Sequence, residues 1–333
     1  MNLIKNNPYR IVGLLVGATA REQTKQISRL KKYIEAEQDP VDDFSFPALG
    51  NLHRTIEKVE EAASKLNLDN DKINAALFWF WNGNPITDEA AFEALKSGDI
   101  EAANEIWGKL ITKTDEEGKR FWKPVTGKNY SAFHNFSVLN IIRANGNLHN
   151  AVVASLYFLE SDFVQKFVSS VVDETHKTSK KELQLIFLNQ LYTDLEANKK
   201  SLIPKFLEIL NNQDFLAKQD FMIRFVQKLI EQIEHKIETA KNKRKASKAN
   251  AAKAGEELFT STANDLNQLK SIVGASDLKY TSISDKVANE VLQCSIDYFN
   301  DSQEKDSNSD YWETSMKLAK QAKTLAIGKL TKD

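Results

Sequence analysis

The stretch DEAAFEALKSGDIEAANEIWGKL, residues 88–110, predicts two helices joined by a tight turn. Gly98 stands where a helix needs a left-handed C-terminal residue, and Asp99 can then cap the start of the next helix. Apolar residues recur three and four positions apart on both sides of this turn. They are Ala91 and Leu95 before it, and Ile100, Ala103, Ile106 and Leu110 after it. This spacing is typical of helices that bury one face, so we expect a helical hairpin.

The rest of the chain supports the same fold class. It has 333 residues with only 12 glycines and 6 prolines, and no glycine lies between Gly146 and Gly255. A sheet protein of this size would need frequent turn residues. A second joint is predicted at Gly146 and Asn147. We therefore predict an all-α fold with no sheet larger than a short hairpin, built as an irregular, solenoid-like array of α-hairpins. The array resembles tetratricopeptide (TPR) hairpins but lacks their roughly 34-residue consensus.

Composition and apolar runs divide the chain into three predicted segments. Residues 1–70 form a small helical unit, 71–215 an α-hairpin array, and 216–333 a long helix, a basic stretch and a final helical pair. The array opens with the aromatic run ALFWFW at 76–81. A base-stacking surface would need basic residues among the aromatic ones, and this run has none. We therefore interpret the run as core and as a wedge between the first two segments.

Charge and cysteine content exclude several classes of protein. Lys and Arg number 45 against 46 Asp and Glu, which excludes a chain that as a whole grips nucleic acid or anionic membrane. The single cysteine, Cys294, excludes an internal disulfide framework and a cysteine zinc site, and its apolar neighbours predict a core position. No run approaches the about 18 apolar residues of a membrane span, and the N-terminus lacks a secretory apolar core. These features predict a cytoplasmic protein with no membrane span in this chain.

The sequence shows no catalytic, metal or cofactor motif. None of the five histidines lies at metal-ligand spacing, and each, His134 included, is predicted to be a surface or capping residue. Glycine-rich phosphate loops and nucleophile elbows are also lacking. The acidic pair Asp42–Asp43 is interpreted as a solvated loop. We therefore expect no catalytic residues, no metal and no cofactor.

Residues 1–72 resemble the J domain of DnaJ-type co-chaperones. The resemblance rests on NPYRIVGL at 7–14, on Ala18–Thr19, and on the basic helix pattern REQTKQISRLKK at 21–32. It implies that helices at 19–37 and 52–67 form an antiparallel pair joined by a loop. In the J family the basic face of the second helix contacts a DnaK-type chaperone. The resemblance implies that role here for Arg21, Lys25, Arg29 and Lys32. The alternative is that these four residues simply form a solvated helix face.

The J-family trigger is missing from this sequence. Glu35, Ala36 and Glu37 occupy the place of the family's His-Pro-Asp tripeptide, and the nearby Gln38-Asp39-Pro40 has no histidine. We therefore expect at most marginal stimulation of a DnaK-type ATPase. The J-like start, the aromatic run and the 88–110 hairpin together look like a group of bacterial J-like proteins with helical repeats. That likeness implies a bacterial source and an interaction role.

The strongest local charge lies at residues 236–253, KIETAKNKRKASKANAAK, which hold seven basic residues against one acid. This stretch continues an apolar helix, so we predict a helix that leaves the core, projects into solvent and is cut first by trypsin. Contacts to an anionic partner would come from Lys241, Lys243, Arg244, Lys245 and Lys248. The alternative is an exposed helix or linker without such a partner.

Three functional hypotheses follow. The first is a non-catalytic protein-interaction or scaffold protein, a degenerate J-like co-chaperone or adaptor that binds a protein partner such as a DnaK-type chaperone. The second is a nucleic-acid-associated factor that uses residues 236–253. The third is an enzyme whose site cannot be read from one sequence. A salt-dependent nucleic-acid shift assay separates the first two, because phosphate contacts release counterions.

Overall fold

The structure is a computed structural model, and it is helical apart from one short β-hairpin in the residues that it describes. The all-α prediction is therefore confirmed. The chain divides into two compact units, Met1–Lys218 and Gln219–Asp333. The described residues are 2–38, 40, 43–173, 176–305 and 311–328.

The first unit contains twelve of the described helices and the hairpin. Strands β1 and β2 pair antiparallel, with Lys113 opposite Phe121. The bounds are α1 (Asn2–Lys5), α2 (Pro8–Val12), α3 (Ala20–Glu35), α4 (Ile56–Lys65), α5 (Asp69–Ala76), α6 (Pro85–Lys96), α7 (Ile100–Ile111), β1 (Thr112–Thr114), β2 (Arg120–Trp122), α8 (Tyr130–Ile142), α9 (Ala144–Glu160), α10 (Val164–Val171), α11 (Lys180–Asn198) and α12 (Ile203–Asn211).

The hairpin of α6 and α7 has the predicted turn. Gly98 has a φ of +89°, and the Asp99 carboxylate accepts a hydrogen bond from the Ala102 N–H at 2.9 Å. The second joint also connects two apolar helices, but its predicted position is wrong: α9 begins at Ala144 and runs through Gly146, so the chain turns at Arg143. A glycine within a helix costs about 1 kcal/mol. Burial of the following apolar residues on α9, beginning with Leu148, outweighs that cost.

The aromatic run does not continue a helix. Helix α5 ends at Ala76, and Trp81 then pairs with Val16 in an isolated parallel β-bridge. All five side chains from Leu77 to Trp81 are buried, which confirms their prediction as core. Trp79 Nε1 donates to the Leu14 carbonyl at 2.7 Å, so this segment ties the N-terminal helices to the rest of the first unit.

The buried backbone of this aromatic segment is hydrogen-bonded by distant groups. The Phe80 carbonyl accepts from the Val16 N–H at 2.9 Å. Asn135, on α8, bonds both the N–H and the carbonyl of Trp81, at 2.8 and 2.9 Å. A non-helical segment can lie in a core only with such partners, because an unpaired buried backbone group is costly.

Helices α3 and α4 form within the ranges predicted for the J-like pair. Thr19 caps α3, and Glu22 completes a capping box with it. Leu30 of α3 and Val59 of α4 are fully buried, and Lys31 forms an ion pair with Glu60 between the two helices. The J-type antiparallel arrangement of this pair stays a prediction.

A buried ionic cluster fixes the loop between α3 and α4. Arg10 is 1% exposed, and its guanidinium donates to the carbonyls of Ser45 and Gly50. Asp43 pairs with Arg54 at 2.7 Å, so the interpretation of Asp43 as a solvated acid is wrong; Asp42 lies outside the described residues. Gly13 has a φ of +69°, and a Cβ there would lie 2.4 Å from the Asp43 carboxylate, so only glycine is accommodated.

In the second unit the described residues form four α-helices around an apolar core of their own. Buried core residues come from all four, among them Ile233, Leu258, Val287 and Leu318. Cys294 is fully buried, as predicted, and burial raises the pKa of its thiol to about 12, so the thiol stays protonated. The bounds are α13 (Lys218–Ala246), α14 (Ala251–Val273), α15 (Leu278–Glu304) and α16 (Tyr311–Leu325).

Candidate partner-binding surface

The basic face predicted on α3 lies on the surface of the first unit. Arg21, Lys25 and Lys32 are exposed. Arg29 is half-buried, and its guanidinium lies over the Tyr33 ring at 5.4 Å. The 3.6-residue period of the sequence was sufficient to place these side chains on one face.

Two of these cations also line a cleft of about 530 Å³, which we call the α3 cleft. Lys25 and Arg29 stand beside the polar side chains of Gln26, Asn82 and Ser170. Gln26 Nε2 is a buried donor without a hydrogen-bond partner. Apolar residues complete the lining: Leu14, Leu15, Val16, Phe44 and Trp81.

The electrostatics of the α3 cleft favour an acidic ligand with an apolar neighbour. Glu22 also lines it, and hydrogen bonds from Thr19 lower the pKa of that carboxyl group, so it stays ionised and offsets one of the two cations. Lys25, which is exposed, can hold an anionic side chain beside the apolar part of this lining. Pairing of a carboxylate with Arg and Lys beside apolar surface is common in protein interfaces.

The three residues in the place of the J-family His-Pro-Asp tripeptide lie at the C-terminal end of α3. Glu35 is its last residue, Ala36 caps it, and Glu37 adopts a left-handed φ of +55°. All three are exposed. Asp39 lies outside the described residues. The described side chains at this helix end supply carboxylates where the J family has an imidazole.

The basic segment 236–253 does not project into solvent, and that prediction is wrong. Helix α13 continues to Ala246, and Ala240 and Ala251 are buried against the second unit's core. Arg244 Nε donates to Glu290 at 2.7 Å, and its Nη1 donates to Asp297. Both carboxylates lie on α15, so the segment packs against an acidic surface that the sequence did not reveal.

This packing removes Arg244 from the cations proposed to meet an anionic partner. Arg244 is 11% exposed and serves the fold of the second unit. Lys243 pairs with Glu257 at 2.6 Å and Lys241 with Glu238 at 3.3 Å, whereas Lys245 and Lys248 are exposed. Exposed ion pairs of this kind are weak. The contacts of Arg244 therefore do more than the lysine pairs to hold this segment against the second unit.

We expect Arg244→Met to destabilise the second unit by about 2 kcal/mol, because Glu290 and Asp297 then face each other without a cation. Amide hydrogen exchange in α15 measures this, and it should accelerate around both carboxylates. Lys245→Met is the matched control, since it removes an exposed cation one residue away and should leave exchange unchanged. Equal exchange in both variants would show that Arg244 is merely a surface residue.

The buried titratable groups of the first unit support its fold. Asp88 is fully buried and accepts hydrogen bonds from Trp107 Nε1 at 3.0 Å and from the Asn84 N–H at 3.1 Å. Burial raises the pKa of Asp88, and the hydrogen bonds from the Asn84 N–H and from Trp107 oppose the rise. His134 is also buried and contacts the Trp79 carbonyl at 2.7 Å, so its prediction as a surface or capping residue is wrong.

The described residues contain no group of three or more His, Cys, Asp or Glu side chains arranged around a possible metal ion. Among these residues, none of the helices has the length and apolar character that crossing a bilayer requires. Comparison with protein-family models, curated proteins and solved structures finds no match to this chain. The structure thus defines an all-helical protein, and its J-domain resemblance stays a prediction.

Proposed function

We propose that this chain is a non-catalytic protein-interaction protein, a J-like adaptor that docks an acidic segment of its partner on α3. The observation that carries the proposal is the α3 cleft, where the exposed Lys25 stands beside apolar residues such as Leu14 and Phe44. Two of the described buried groups that could serve chemistry, Asp88 and His134, are instead held by hydrogen bonds within the fold.

The proposed partner is a DnaK-type chaperone, and a cytoplasmic location is part of the proposal. The support is the sequence resemblance of residues 1–72 together with the exposure of Arg21, Lys25 and Lys32 on α3. Docking and triggering are separate properties in this proposal. Glu35, Ala36 and Glu37 supply no imidazole, so the chain holds the chaperone without accelerating ATP hydrolysis.

A double variant tests the docking surface. Lys25→Glu/Lys32→Glu should weaken binding to a purified, ATP-bound DnaK-type chaperone about tenfold, because like charges then oppose the acidic segment. Biolayer interferometry measures the Kd. Lys205→Glu is the matched control, since Lys205 is exposed on α12 of the same unit and should leave binding unchanged. A single-turnover assay should show at most marginal stimulation of the ATPase.

Three results would overturn this reading. Absence of chaperone binding by the wild-type chain, or equal weakening by Lys205→Glu, would remove the α3 face as the docking site. A large ATPase stimulation that Lys25→Glu/Lys32→Glu abolishes would make the chain a working co-chaperone. The nucleic-acid alternative loses support because Arg244 is held by Glu290 and Asp297.

A further inference from the structure

We infer that the β-hairpin of the first unit binds single-stranded nucleic acid. Strand β2 lies within the sequence KRFWK at residues 119–123, where three cations flank two aromatic residues. A base-stacking surface needs this interleaving of basic and aromatic residues, and the run at 76–81 lacks it. The contact surface that we propose, called the hairpin surface, consists of Lys113, Lys119, Phe121 and Lys123.

The strand pairing places the members of the hairpin surface on one face. Backbone hydrogen bonds of Lys119 and Lys123 extend the ladder by a residue beyond each end of β2. Side chains alternate along a strand, so Lys119, Phe121 and Lys123 share a face. Lys113 of β1 is the cross-strand partner of Phe121 and lies on the same face. An aromatic ring therefore stands among three lysines.

This face of the hairpin points away from the core of the first unit. Trp122, whose side chain is on the other face, has its ring centroid 6.1 Å from that of Phe133 and 6.2 Å from that of Phe136. Both phenylalanines belong to α8 and are buried. Phe121 is consequently turned to solvent and is 38% exposed. Packing on α8 holds the hairpin in place before a ligand arrives, which lowers the entropic cost of binding.

The lysines of the hairpin surface keep their charge available. Among the described residues, Lys113, Lys119 and Lys123 take part in no ion pair, whereas Lys109 on α7 pairs with Glu105 at 3.4 Å. The Lys123 ammonium donates to the Lys109 carbonyl at 2.6 Å. That contact fixes the position of the ammonium without neutralising it, so an anionic ligand meets a preformed positive charge.

The order of cation, ring and cation matches the order of phosphate, base and phosphate in a single strand. Lys119 and Lys123 are four strand residues apart, roughly 13 Å, with Phe121 midway between them. A base can stack on Phe121 while the phosphates on either side of its nucleotide meet the two lysines. The Lys119 ammonium lies 5.2 Å from the ring centroid. Its flexible stem allows it to leave the ring for a phosphate when a base arrives.

Other anionic partners fit the hairpin surface less well. The turn of the hairpin carries Asp115, Glu116 and Glu117, all exposed, which would repel the headgroups of an anionic membrane. An acidic peptide satisfies the lysines, but its carboxylates leave the ring of Phe121 without a stacked partner. A nucleic-acid duplex keeps its bases in its own stack, so an exposed ring favours a single strand.

This inference goes beyond the proposed function and does not depend on it. The hairpin surface shares no residue with the lining of the α3 cleft or with the segment 236–253. Substitutions can therefore separate nucleic-acid binding from chaperone docking, and failure of one does not imply failure of the other.

The test is fluorescence anisotropy of fluorescein-labelled oligouridylate and oligothymidylate of about 12 nucleotides, titrated with the full-length protein. RNA and DNA share stacking bases and phosphates, so both oligomers should bind. Phe121→Ala should weaken binding about tenfold through loss of one stacked base. Phe121→Leu should weaken it nearly as much, because leucine keeps the apolar contact but has no ring. An abasic oligomer of equal length should bind the wild type and Phe121→Ala alike, since it has phosphates but nothing to stack.

Salt dependence measures the phosphate contacts. Lys113→Gln/Lys119→Gln should reduce the slope of log Kd against log salt concentration by about 1.4, because each phosphate contact on a single strand accounts for about 0.7. Lys200→Gln/Lys205→Gln is the matched control, since both lysines are exposed on the same unit. It should leave the slope and the Kd unchanged.

Four results would overturn the inference: no binding of either oligomer by the wild type, unchanged binding by Phe121→Ala, wild-type binding by Phe121→Leu, or equally tight binding of polyglutamate or of vesicles of phosphatidylserine and phosphatidylcholine in equal parts. Lys25→Glu/Lys32→Glu should leave oligomer binding intact. If that variant abolishes binding while Phe121→Ala does not, the strand binds on α3 and the hairpin surface is refuted. Absence of chaperone binding with intact oligomer binding would refute the proposed function alone.

Discussion

Phe46→Ala is expected to lower the free energy of unfolding of the first unit by about 3–5 kcal/mol. Phe46 lies in the connection between α3 and α4, yet its side chain is fully buried. Its ring contacts those of Trp79, Phe80 and Phe92 at centroid distances of 6.1, 5.3 and 6.2 Å. Truncation removes apolar burial and leaves a cavity that these rigid rings cannot fill by collapse.

Urea denaturation followed by tryptophan fluorescence measures this loss, because four of the five tryptophans belong to the first unit. Phe121→Ala is the matched control: Phe121 is 38% exposed on β2 and should cost much less. Equal losses from both variants would mean that the connection is only a surface loop. Phe44, two residues before Phe46, lines the α3 cleft. Phe46→Ala should therefore also weaken partner docking.

The sequence was informative wherever the decisive contacts are local. The turn between α6 and α7 depends on Gly98 and on Asp99, which bonds a backbone group three residues away. The cap of α3 depends on Thr19 and Glu22 in the same way. These signals lie within one helical turn, so inspection of the sequence finds them.

The sequence was misleading where the stabilising partner is distant along the chain. The aromatic run opens the predicted array of helical hairpins, but it is not helical, and its backbone is hydrogen-bonded by His134 and Asn135, more than 50 residues away. Arg244 was expected to be free for a partner, although Glu290 and Asp297 lie 46 and 53 residues further on. No local pattern reports such pairings.

The candidate site shows the same distinction. The basic face of α3 follows from helical periodicity alone, whereas part of the lining of the α3 cleft comes from other segments, including Asn82 and Ser170. The sequence therefore predicts the charged face but not the cleft beside it.

Acidification from pH 7 should destabilise the first unit through His134. Its imidazole is buried, and burial lowers its pKa to about 4, although the contact with the Trp79 carbonyl opposes this. In the unfolded chain the pKa is about 6.5. Between these values the unfolded state binds a proton that the folded state does not. The stabilisation is therefore complete above pH 6.5 and is lost as the pH falls towards 4, about 3 kcal/mol in total.

Urea denaturation at pH 7.5, 5.5 and 4.5 measures this loss, and His134→Gln serves as the reference. Glutamine can still donate to the Trp79 carbonyl but does not titrate, so this variant should be less stable at pH 7.5 and lose less on acidification. The comparison also cancels Asp88, whose pKa is raised by burial and which acts in the opposite direction. Parallel pH profiles for the two chains would mean that His134 is already solvated in the folded state. A steeper wild-type profile would establish that a histidine that looks incidental in the sequence holds the aromatic segment in place as a neutral donor.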